Sequence, residues 1–172
     1  MKNVYKIGLV ILIMTLLVFL SVKLASEWNK KRMQASNHEY LPSCRFINTS
    51  GIAVYLDSLV YDKSMLVIFD PACEHCIAEI GEIIGHLNEL AKVEIIMVST
   101  APQNDIISFA SAHGLDSIPQ INIFQCDPGV FNRTFGNTPV PAIFIYGTDK
   151  KLRKIFKGEV KIEALLSVLK SI

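Results

Sequence analysis

The chain has almost no charge excess: 17 Lys and Arg against 16 Asp and Glu leave a formal net charge of +1 over 172 residues. With no basic patch beyond Lys30 to Arg32, nucleic acid is not an expected partner. Cysteine is scarce as well. There are four, the first is Cys44, and no lipid-modified cysteine therefore follows the amino-terminal apolar run. Only one Cys-x-x-Cys pair is present, Cys73 and Cys76, so a four-ligand zinc set lacks its second half. His86 and His113 are the side chains a metal could recruit; no metal or other cofactor is expected. A signal-peptidase site is missing too, because Lys23-Leu24-Ala25-Ser26-Glu27 is a poor small-x-small match. Internal repeats and low-complexity tracts are absent.

What is present begins with an uncharged stretch from Ile7 to Val22, which extends over Val4 to Ala25 if Lys6 and Lys23 reach the two interfaces. The reading is an uncleaved transmembrane anchor, residues 1–26, with a cleaved signal peptide as its rival. Positive charge is nearly even on the two sides and does not set orientation. Residues 27–41 are polar and aperiodic, a linker. Residues 42–172 form the folded domain.

Within that domain Met65 to Phe69 is an apolar run fit for a buried strand, and Ile77, Ile80, Ile84 and Leu87 recur at helical spacing. Cys73-Glu74-His75-Cys76 lies at their junction. Cys73 then sits at a helix start, where unpaired backbone N–H groups and the positive dipole end stabilise a thiolate. Only the thiolate attacks a disulfide. Cys76, one turn later on the same face, is placed to resolve. His75 is expected to stabilise the Cys73 thiolate further, which favours an oxidising couple. Glu74 suits the helix dipole but opposes a thiolate neighbour. A dithiol of this kind is most useful outside the reducing cytosol, so the domain is expected in a periplasm-like space, facing outward from a bacterial inner membrane.

Further elements follow from the pattern. Cys44 to Ile47 and Ile52 to Leu56 form a hairpin about Asn48-Thr49-Ser50-Gly51, and the dithiol helix runs through Leu90. Val93 to Val98 is a central parallel strand. Pro102 opens a helix ending near Gly114, and Ile121 to Phe124 is a strand before a turn at Asp127-Pro128-Gly129. Ala142 to Tyr146 and Leu152 to Phe156 are strands. A last helix, residues 161–170, turns Ile162, Leu165, Leu166 and Leu169 inward. Alternation of strands and helices predicts a three-layer α/β/α domain with a mixed sheet. Cys44 and Cys126 are expected as two separate, mostly buried thiols.

The dithiol between strand and helix, together with Val140-Pro141-Ala142 leading into a late strand, resembles the thioredoxin fold. The added amino-terminal hairpin and the segment from Ile121 to Phe135 look like its TlpA/ResA-type branch of membrane-anchored thiol–disulfide oxidoreductases. The resemblance covers about Leu41 to Ile172. It implies exchange with protein thiols and disulfides and a membrane redox partner. It further implies a cis Pro141, with Pro139 as a rival, and a substrate-binding edge at Val140. Glu79 matches an acidic residue lining the cavity of that branch, where a buried carboxylate exchanges protons with the resolving thiol. Departures are Ala72 where a tryptophan is common, Val67 where thioredoxin has a buried aspartate, and Gly81 in place of a helix-kinking proline. A peroxiredoxin-like peroxidase is the enzymatic alternative, although the peroxidatic threonine and a local arginine are absent. A metal-binding module of the same fold is the non-enzymatic one.

Overall fold

A computed structural model describes residues 6, 12–26, 39–56 and 62–172, in two compact units, Met1–Ser36 and Asn37–Ile172. In the first, residues 12–26 form helix α1 with exposed apolar side chains. Among the described residues no helix is long and apolar enough to cross a membrane. Residues 1–5 and 7–11 of the expected anchor and 27–38 of the expected linker lie outside the described residues.

The second unit runs β1 (Arg45–Asn48), β2 (Ala53–Tyr55), β3 (Lys63–Ile68), α2 (Glu74–Gly85), β4 (Val93–Ser99), α3 (Gln103–Ala112), a 3-10 turn (Leu115–Ser117), β5 (Ile121–Gln125), α4 (Pro128–Phe135), β6 (Ala142–Tyr146), β7 (Leu152–Lys157) and α5 (Ile162–Lys170). Its seven strands have the order β2-β1-β5-β4-β3-β6-β7. β3, β4 and β5 are parallel neighbours; the other pairings are antiparallel.

The central strands are apolar on both faces because both are covered. Met65, Val67 and Phe69 join Ile95, Met97, Ile143 and Ile145 in one core, under α2, α3 and α5. Leu66, Ile68, Ile96, Val98, Ala142 and Phe144 point the other way, with Phe46, Phe124 and Phe135 of α4. The chain steps from β3 to β4 to β5 in one direction, so right-handed crossovers put α2 and α3 on the same face. All four inward residues expected of α5 are buried.

Two elements differ from expectation. Asp127-Pro128-Gly129 is not a free-standing turn but the start of α4. The Asp127 side chain accepts a hydrogen bond from Val130 N at 3.0 Å, and Pro128 occupies the first turn, where its missing N–H costs nothing. Phe131 and Phe135 then stack at 5.1 Å and Phe135 meets Phe144 at 5.7 Å. Asp127→Ala is expected to cost about 1 kcal/mol through loss of this cap, lowering Tm by about 3 °C in a domain of this size; calorimetry would show it. The dithiol helix also stops at Gly85 rather than Leu90, as His86 leaves helical geometry and bonds back to Ile83 O.

Candidate active site

The turn before α2 follows from its residues. Aspartate first and proline second suit a type I turn: Ala72 N donates to Asp70 Oδ1 at 2.8 Å and Cys73 N to Asp70 O at 3.1 Å. Cys73 is left in extended geometry as the α2 N-cap, with Ile77 N donating to its carbonyl at 3.1 Å. No side chain caps the helix. Its first N–H groups are thus left without a side-chain acceptor at the end of the helix where the half-buried Cys73 sits.

Cys76 lies one turn on and is fully buried. Burial pushes its thiol up to about 12; a backbone hydrogen bond at Asp70 opposes this, and the neighbouring Cys73 sulfur reinforces it. The two sulfurs are therefore in contact yet unequal. None of the four cysteines is in a disulfide bond. Iodoacetamide at pH 7 is accordingly expected to alkylate Cys73 and spare Cys76, as peptide mapping by mass spectrometry would read; equal labelling of both would contradict the asymmetry.

Glu79, one turn beyond Cys76, is also buried. Its Oε2 accepts from Val160 N at 2.9 Å, while Oε1 has no hydrogen-bond partner. Desolvation raises its pKa, opposed by the Val160 N–H and aided by the charges of Glu159 and Glu82. His75 does not turn to Cys73 as expected. From the exposed side of the first turn, its Nδ1 meets the Glu159 carboxylate. Glu74 is exposed in that turn.

The Val140–Pro141 bond is the one cis peptide among the described residues; Pro139 is not cis-linked. Val140 is partly exposed, at 38%. A further element, not singled out from sequence, holds these parts together: Gly158-Glu159-Val160, between β7 and α5. Gly158 has φ of +82°, favoured by glycine, and donates to Pro141 O at 2.8 Å. Its next two residues bind His75 and Glu79. One loop thus ties the dithiol helix to the proline loop. The only local sequence signal was Gly158 between a strand and a helix.

Among the described residues no group of three or more His, Cys, Asp or Glu is placed to hold a metal ion. His86 is bonded to Glu82 O on α2 and His113 stacks on Phe109.

Fold and dithiol placement together define a thioredoxin-like domain. No family model matches the sequence, and no curated protein does. Solved structures do. A secreted Mycobacterium tuberculosis disulfide oxidoreductase homologous to E. coli DsbE superposes with a TM-score of 0.64 at 18% identity, over 76% of this chain and 96% of that one. A thiol peroxidase from Chromobacterium violaceum gives 0.66 at 14% identity, over 78% and 85%. A thioredoxin-like protein from Aeropyrum pernix gives 0.61 at 14%, over 88% and 99%. At such identities the likeness is one of fold.

Proposed function

We propose that this protein is a thiol–disulfide oxidoreductase acting on protein substrates through Cys73 and Cys76. The observation that carries the reading is the asymmetry of the pair: a half-buried sulfur at a helix start, backed by a buried thiol held at about 12. In the oxidative half-reaction on a substrate disulfide, the Cys73 thiolate attacks one sulfur, forming a mixed disulfide and releasing a thiolate. Cys76 then loses its proton and attacks Cys73 Sγ, closing the Cys73–Cys76 disulfide and releasing the second substrate thiolate. Glu79, three residues from Cys76 on α2, is the base for that proton. Val140 offers an exposed backbone edge to the substrate. Glu74 tunes the charge of the first turn.

The similar disulfide oxidoreductase supports this reading; the peroxidase of equal likeness supports a second, peroxide reduction on the same fold. The site favours the first, because Asp70-Pro71-Ala72-Cys73 carries neither threonine nor arginine. We further place the chain in the TlpA/ResA-type branch, anchored in a bacterial inner membrane through its amino-terminal apolar segment. The dithiol would face the periplasm and be served by a membrane redox partner. Exposed Leu16, Leu17, Phe19 and Leu20 in α1 support lipid contact.

A redox titration of the full chain against glutathione tests the reading: a two-electron Cys73–Cys76 couple that exchanges with a disulfide-bonded protein upholds it. Peroxide consumption without such exchange would favour the second reading.

A further inference from the structure

On the face of the sheet opposite α2, two more cysteines converge. Ile47 pairs with Gln125 in the antiparallel β1–β5 ladder, and one step further along that register sets Cys126 opposite Phe46. Cys44 is two residues before Phe46 and so projects from the same face. All three pack in the core beneath α4, Cys126 fully buried and Cys44 half-buried. Each thiol has a polar neighbour: Cys126 Sγ donates to Asp127 O at 3.5 Å, and Thr134 Oγ1 of α4 approaches Cys44 Sγ at 3.9 Å. The sulfurs also feel one another electrostatically, since Cys44 contributes, after burial, to pushing the Cys126 thiol up to about 12.

We propose that Cys44 and Cys126 are a second oxidisable pair, able to close a disulfide between the entry of the amino-terminal hairpin and the β5–α4 junction. Diagonal positions across an antiparallel pair put Cα atoms about 7–8 Å apart, and a disulfide takes up to about 6.8 Å. The gap is closed by a shift of about 1 Å, and both cysteines lie just outside the β1–β5 ladder, which pairs Ile47 with Gln125 and Asn48 with Phe124. The oxidant is a low-molecular-weight disulfide such as oxidised glutathione. The Cys44 thiolate attacks one of its sulfurs, giving a mixed disulfide and releasing one glutathione thiolate. Cys126 gives up its proton, attacks Cys44 Sγ and releases the second. Two protein thiols are oxidised and one glutathione disulfide is reduced to two glutathiones. This chemistry is independent of the dithiol at α2, which lies on the other face.

The full chain carrying both Cys73→Ser and Cys76→Ser is incubated natively with graded ratios of reduced to oxidised glutathione, acid-quenched, denatured and labelled with maleimide. Near-UV circular dichroism checks that it is folded. The expected result is loss of both remaining thiols together and recovery of a peptide joining Cys44 to Cys126; adding Cys44→Ser should leave Cys126 fully labelled. A glutathione adduct persisting on Cys44 with Cys126 still a thiol would overturn the proposal, as would two thiols surviving in fully oxidising buffer. Should the serine variant not fold, the wild-type chain serves. There the Cys44–Cys126 peptide is expected beside a Cys73–Cys76 peptide, and its absence where that second peptide is present would overturn the proposal.

Discussion

Replacing Cys76 by serine is expected to convert a turnover catalyst into a covalent trap, with a mixed disulfide on Cys73 accumulating to near-stoichiometric yield. Cys73→Ser should reduce protein-disulfide exchange to the uncatalysed rate, because a serine hydroxyl at the helix start does not ionise at neutral pH. The two phenotypes differ because the structure gives the sulfurs different surroundings. Cys73 is half-buried at the N-cap; Cys76 is wholly buried and held at about 12. At pH 7 a thiol of that pKa is ionised in about one molecule in 10⁵, so the proposed resolving step needs a base. Glu79→Gln is therefore expected to slow resolution and leave formation of the mixed disulfide unchanged. In the variant the second step should quicken about tenfold per pH unit, a dependence that stopped-flow thiol release would display. Mass spectrometry finding substrate trapped on Cys76 in the Cys73→Ser variant, and none on Cys73 in Cys76→Ser, would reverse the roles.

How far the sequence reveals this site depends on contact range. The Asp70–Cys76 segment is local: turn residues, N-cap and one-turn spacing are all written within seven positions, and the structure reproduces that geometry. The strands around it were legible because apolar runs covered on both faces need no partner information. The Gly158-Glu159-Val160 loop was not. Its bonds to Glu79 and His75 span 81 and 84 residues, and no periodicity encodes such pairs. Proximity in the chain points His75 at Cys73, whereas the first turn of α2 aims it outward to Glu159. α4 was hidden by its own start, since Asp-Pro-Gly suits a turn and a capped helix equally until Phe131 and Phe135 find their ring partners. Glu94 is obscured in the pattern because it sits inside the otherwise apolar run Val93–Val98.

That buried glutamate should give the domain an inverted pH response. Glu94 is 1% exposed on β4, opposite Ser64 of β3, whose other neighbour is Tyr146 of β6. Asn122 Nδ2 donates to Oε1 at 3.0 Å, and Oε2 has no hydrogen-bond partner. Burial raises its pKa from 4.5 to about 7, with the Asn122 bond and the Lys150 charge acting against it. Below pH 4.5 the carboxyl is protonated in both folded and unfolded chains, and stability is full. Between 4.5 and 7 the unfolded chain releases its proton first, so stability falls as pH rises, and above 7 the loss is complete. A shift of this size corresponds to about 3 kcal/mol. Glu79, raised in the same direction, adds to the trend. Glu94→Gln keeps an acceptor for Asn122 but does not ionise; it leaves an amide donor where Oε2 stood, at a cost of about 1–3 kcal/mol. The variant's urea-unfolding free energy should therefore vary much less between pH 5 and 8 than that of the wild type, and the two curves should converge towards high pH. If both fell in parallel across that window, Glu94 would not be the group responsible, and its carboxyl would have to be ionised within the folded core.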